Sequence, residues 1–172
     1  MLTTDWREQR CGCTGTWGIL ATIACVLWCG ARAEAQLATQ GTYAGHFGWY
    51  AVGKTVELEP GHEFFLGEYS GTFLNDAGQG FLHGTSWVCP GVNDRTPGGA
   101  QAHGYCTVTD EDGDKAFVIW QCKGQPRCDG DFQWTGGTGK YTGLKGTTSF
   151  TGVPIGSTAS GYSRFNGNWQ LP

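Results

Sequence analysis

From Thr42 onward, apolar and polar side chains alternate with a period of two in short runs broken by turn residues, and no window sustains the helical period of about 3.6. Thr42 to Val52 carries Tyr43, Phe47 and Trp49, and Lys54 to Glu59 alternates as Lys-Thr-Val-Glu-Leu-Glu. Glu63 to Leu74 is the longest run. Asn75 to Gly80 then supplies turn chemistry, because short Asn and Asp side chains hydrogen-bond their own backbone and glycine turns freely. Phe81 to Cys89, Gln101 to Thr109, Lys115 to Cys122, Phe132 to Thr135, Leu144 to Thr151 and Ala159 to Trp169 read as further strands, with Pro90 to Ala100 as a loop. The pattern predicts an all-β fold of about eight antiparallel strands. Closing such a meander into a barrel would remove the edges that otherwise invite aggregation.

Asp112-Gly113, between two of these runs, is a strong hairpin signal. A two-residue turn there sets Cys106 opposite Ile119 and Cys122 opposite His103, so Cys106 and Cys122 are not natural partners. Of the three pairings open to Cys89, Cys106, Cys122 and Cys128, the favoured one joins Cys89 to Cys106 and Cys122 to Cys128. The first bridge would clamp the strands on either side of the Pro90 to Ala100 loop, and the second would close Lys-Gly-Gln-Pro-Arg. A four-thiolate zinc site lacks its short Cys-x-x-Cys spacing. The same register groups His83, Thr85, Trp87 and Cys89 on one face with Gly104, Cys106, Val108, Phe117 and Ile119. Trp87, Phe117 and Ile119 are therefore the candidate ligand contacts, with His83 as a polar group beside them. The pattern does not say which face is interior.

The chain has 172 residues, and its first 35 differ from the rest. Arg7 and Arg10 precede an almost charge-free run, Gly15 to Cys29, followed by Ala31-Arg32-Ala33-Glu34-Ala35. These are the three regions of a secretory signal with a cut after Ala35, and the run falls short of the roughly 20 apolar residues of a membrane span. The expected product is a single domain, Gln36 to Pro172, secreted or periplasmic. Four of the eight cysteines would leave with the signal, and the remaining four suit two disulfides in an oxidising compartment. A net charge of −4 without a basic run argues against nucleic acid as a partner. With 30 glycines spread without a collagen period, long helices are disfavoured as well.

At Gly136-Gly137-Thr138-Gly139-Lys140-Tyr141 the chain resembles the allene oxide cyclase and dirigent superfamily, which carries such a glycine-rich turn before one of its last strands. Gly67-Glu68-Tyr69-Ser70-Gly71-Thr72-Phe73 and Ser163-Arg164-Phe165-Asn166-Gly167-Asn168-Trp169 fit the style of these barrels. The resemblance, to a bacterial-type secreted member, implies an eight-stranded calycin-like barrel with a hydrophobic cavity, often a homotrimer, and no cofactor. Dirigent proteins commonly continue with Ala-Arg-Gly where this chain has Leu144-Lys145-Gly146, so the guanidinium is missing. The cyclases steer an unsaturated epoxide with the help of a glutamate, which singles out Glu68 as a candidate catalytic group; in a cyclase either Glu68 or His83, the polar group beside Trp87, would assist proton movement.

Asp110, Asp112 and Asp114 on one tight loop are oxygen ligands of a kind that suits calcium, but the order of an EF-hand is not met and the hairpin already accounts for Asp-Gly. No serine sits in a Gly-x-Ser-x-Gly elbow, and Gly136 to Lys140 lacks the phosphate-loop spacing. His46, His62, His83 and His103 are dispersed, with no paired spacing for a metal. The expected function is an exported barrel that binds a small apolar or aromatic molecule. A cyclase or isomerase and a purely structural protein are the alternatives.

Overall fold

The computed structural model describes residues 38–172, so the expected signal segment lies outside the described residues. Eight strands follow in order: β1 (Gln40–Glu59), β2 (His62–Asn75), β3 (Ser86–Thr96), β4 (Gly99–Thr109), β5 (Lys115–Lys123), β6 (Cys128–Gly137), β7 (Thr147–Pro154) and β8 (Ser160–Gln170). Each pairs antiparallel with its neighbour, and β8 returns to β1, so the sheet closes into a barrel. One 3₁₀ turn, Gly139–Tyr141, precedes β7. No helix among the described residues is long and apolar enough to cross a membrane.

The alternation seen in the sequence decides which side chains enter the barrel. Tyr43, Phe47 and Trp49 point inward from β1, Phe65, Tyr69 and Phe73 from β2, and Trp87 and Cys89 from β3. Phe132 and Trp134 on β6 and Phe165 and Trp169 on β8 complete an interior dominated by aromatic rings. Lys54 to Glu59, read as a separate run, continues β1, and Pro90 to Thr96, read as loop, continues β3. Pro90, which has no amide hydrogen to donate, falls where the β3–β4 ladder is interrupted between Val88 and Gly91, and Cys89–Cys106 joins the two strands there. The second bridge joins Cys122 to Cys128, so both disulfides follow the favoured pairing.

Two details correct the sequence-based expectation. Phe81 to Gly84 form a turn rather than the start of a strand, since Asn75 Nδ2 donates to the Phe81 carbonyl and the Thr85 hydroxyl to that of Leu82. The β4–β5 connection is also longer than two residues. The Asp110 carboxylate accepts from the amides of Asp112 and Asp114, and the Asp110 amide donates to the Asp114 carbonyl. Thr109 therefore faces Lys115, Cys106 faces Val118 and Ala102 faces Cys122. Relative to the two-residue hairpin, β5 is slipped by one position, and such a slip turns every side chain of a strand to the other face. Ala116, Val118, Trp120 and Cys122 enter the barrel. Phe117 and Ile119 face outward, 36% and 41% exposed.

Candidate functional site

The barrel has one plugged end and one open end. At the plugged end Phe81 stacks on Trp169 with ring centroids 4.4 Å apart, and Tyr43, Trp134 and Tyr141 pack edge-on around it. The Tyr43 hydroxyl is satisfied inside by Thr148 Oγ1 at 2.6 Å, and burial pushes its ionisation well above the ordinary range. The glycine-rich turn seals this end. Gly139 has φ +51°, and a Cβ there would strike the Asp114 carboxylate, which accepts the Lys140 amide at 3.0 Å. The Lys140 ammonium stands 2.8 Å from Asp110 and 2.6 Å from Asp112. The Asp-rich hairpin is thus held by a lysine, where the sequence left room for a calcium ion.

Towards the other end the inward residues shrink. Ala51, Gly53, Ala100, Ala102, Gly152 and Ser157 stand where the plugged end has rings, and a cavity of about 600 Å³ opens between them. Its floor is apolar, made by Phe47, Trp87, Phe132, Phe150, Phe165 and the Cys89–Cys106 bridge. Its middle is an aromatic belt of Trp49, Tyr69 and Trp120, with Tyr69 edge-on to both tryptophans at 5.5 and 5.9 Å. Its rim is polar, with Thr55, Asn93, Arg95, Gln125 and Thr158.

Glycine opposite the tryptophans keeps the belt from closing the lumen. A Cβ on Gly161 would overlap the Trp49 indole, and a Cβ on Gly91 or Gly104 the Trp120 indole, so both rings lie down against the barrel wall. Trp49 Nε1 donates to Ser163 Oγ at 3.2 Å, which fixes its tilt. The cavity-facing groups carry little charge. Burial raises the ionisation of the Tyr69 hydroxyl, while Asn93 and Arg95 work against that shift. Arg95 is the one charged side chain among the described residues that line the cavity.

Of the candidates read from the sequence, Trp87 alone lies in this cavity, 1% exposed and part of its floor. Phe117 and Ile119 are on the outer wall, displaced by the β5 slip. Glu68 also faces outward, where its carboxylate accepts the Ser70 hydroxyl. His83 is exposed on the turn at the plugged end. Glu68 and His83 are therefore brought neither together nor to the cavity. Trp49, Tyr69 and Trp120 are assigned no role from the sequence, although Gln121 and Lys123 at the end of β5 mark its outer face and hence Trp120 as an inner residue.

No family model matches the chain, and no curated protein matches it. Among solved structures, a pterocarpan synthase dirigent protein is similar over 80% of this chain and 88% of its own, at 11% identity and a TM-score of 0.48. A likeness of that strength carries no inference about chemistry.

Proposed function

We propose that the barrel binds a small, largely apolar, ring-bearing molecule in its open half. The observation that supports this most is the combination of an unfilled 600 Å³ lumen with two indoles laid flat along its wall. Interior volume in a folded protein is normally filled to crystal-like density, so a lumen of this size lined by rings is the usual form of a small-molecule site. Two disulfides suit export to a secreted or periplasmic setting. The cyclase alternative loses support, because Glu68 and His83, the groups meant to move its proton, stand outside the cavity.

Naphthalene titrated against tryptophan fluorescence tests the assignment. Quenching that saturates is expected in the wild type. Ala51→Phe, which puts a ring into the open lumen, should weaken binding by more than about tenfold while changing stability by less than about 1 kcal/mol. If naphthalene does not bind the wild type, ligand binding in the barrel is wrong. A second reading, self-association, is favoured by one feature: Val52, Pro90, Tyr105 and Ile119 are exposed on the same side of the barrel as Glu68. Sedimentation velocity would reveal a homotrimer or any smaller assembly, and a monomer at high concentration would end that reading.

A further inference from the structure

Glu63 and Arg95 face each other across the β2–β3 ladder at the cavity mouth, on the inward side of both strands, with Oε2 and Nη2 3.2 Å apart. Arg95 lines the cavity and Asn93 lies two residues deeper on the same strand face. Arg95 Nε and Asn93 Oδ1 are shut off from solvent and lack a hydrogen-bond partner, spare capacity that a small rotation of either side chain would turn towards a bound head group. Without Glu63, this guanidinium would be an obvious seat for a carboxylate, whose two oxygens match its fork. With Glu63 in place the positive charge is already matched, and an arriving anion would meet a carboxylate at the same position.

Resting on ligand binding in the barrel, we propose that Glu63 acts as a charge mask on Arg95 and restricts the cavity to neutral ligands whose polar head both donates and accepts hydrogen bonds, such as a carboxamide. The apolar floor takes the ring system, the Trp49 and Trp120 faces flank it, and the head rests at the level of Asn93 and Arg95. Glu63 is then a specificity-determining residue. Its substitution changes which head group is accepted and leaves the apolar contacts alone.

Naphthalene, naphthamide and naphthoate share one ring system, and the last two are near-isosteric, so charge is what separates them. Titrated at neutral pH, the wild type should bind naphthamide at least about tenfold tighter than naphthoate. Glu63→Gln should tighten naphthoate by about tenfold and leave naphthalene and naphthamide within about twofold. Glu63→Gln combined with Arg95→Met should lose that gain. Glu63 is half exposed at the rim, so its replacement is expected to fold. Equal binding of naphthamide and naphthoate by the wild type, or no gain for naphthoate in Glu63→Gln, overturns the mask while naphthalene binding keeps the cavity assignment intact. Failure of naphthalene itself overturns both.

Discussion

The two ends of the barrel are built from the same eight strands with the same alternation, yet one is solid and the other hollow. At the plugged end successive inward positions hold Tyr43, Phe73, Trp134 and Trp169, and long loops fold Phe81, Tyr141 and Leu144 across the opening. At the open end Ala51, Gly53, Ala100, Ala102 and Gly152 take inward positions beside Phe65, Asn93 and Arg95, and short connections leave the mouth clear. Above its aromatic floor the open half keeps only the ring contacts around Tyr69, and both disulfides line its cavity. One end is held mainly by packing, and the other is reinforced by covalent bonds. Side-chain volume is withheld from the open half, and cross-links offset part of the stability lost with it.

The largest effect should come from breaking the packed end. Phe81→Ala removes the ring stacked on Trp169 and leaves a hole among Tyr43, Trp134 and Tyr141. A loss of about 3–5 kcal/mol is expected in urea or thermal unfolding, as for a fully buried aromatic. A loss under about 1 kcal/mol would mean that the plug is not a true core. Breaking the open end should cost less and act locally. Cys122→Ser with Cys128→Ser opens a short loop, and about 2–3 kcal/mol is expected. Hydrogen exchange should then quicken first in β5 and β6 near Lys123 to Asp129, with Phe73 and Val108 still protected. Uniform quickening of both ends would erase the distinction between them.

The contrast also explains what could be read from the chain. Strand number and antiparallel order follow from local alternation, and closure from the need to remove sheet edges; both disulfide pairings survive because neither the expected register nor the observed one sets Cys106 opposite Cys122. The inner face of β5 does not follow so easily. It depends on whether the Asp110 carboxylate draws two amides into a five-residue loop, a competition between side chain and backbone that Asp-Gly alone does not settle. That one residue of slip put Phe117 and Ile119 in the expected site and left Trp120 out. Glu68 is singled out by resemblance alone; its alternation with Ser70 and Thr72 already allows it to face solvent, and Tyr69 and Phe73 take the inward face of β2. The hollow itself rests on small residues, whose absence of volume gives no pattern to read.

The Lys140 clamp sharpens the plugged end further. Lys140→Met leaves Asp110, whose side chain is 7% exposed, without its cation. A cost of about 2 kcal/mol is expected at neutral pH, below that of a fully buried pair because Asp112 is open to solvent. Burial opposes the charge on Asp110, but Lys140 outweighs it and holds the carboxyl below its ordinary value. Hydrogen bonds to Asp110 and Asp112 raise Lys140 in turn. The Asp110 contribution is therefore present above an unfolded value of 3.8 and lost as pH falls through the lower folded one. The Lys140 contribution is present below 10.5 and lost as pH rises through the higher folded one. Wild type and Lys140→Met should differ by a constant amount between these limits and converge in acid. A gap that persists at pH 2 would assign the lysine a packing role instead.

At the open end the matching ion pair is weaker and titrates elsewhere. His62 Nε2 lies 2.7 Å from Asp94 on the outer face of the β1–β2 hairpin tip, one residue from the Glu63–Arg95 pair within. The hydrogen bond to Asp94 raises the His62 imidazole above its ordinary 6.5, and Glu59, 3.5 Å from Nδ1, adds to that. A raised histidine lends stability that is fully present below pH 6.5 and disappears as pH climbs through the folded value. The contribution is small because the group is near solvent and screened by salt. Its readout is accordingly local: backbone exchange in Glu57 to Glu63 should quicken between pH 6 and 8 beyond the intrinsic rise, and His62→Gln should remove that excess without moving the plugged end. An equal response at Tyr43 or Phe165 would show that the two ends of the barrel unfold as one unit.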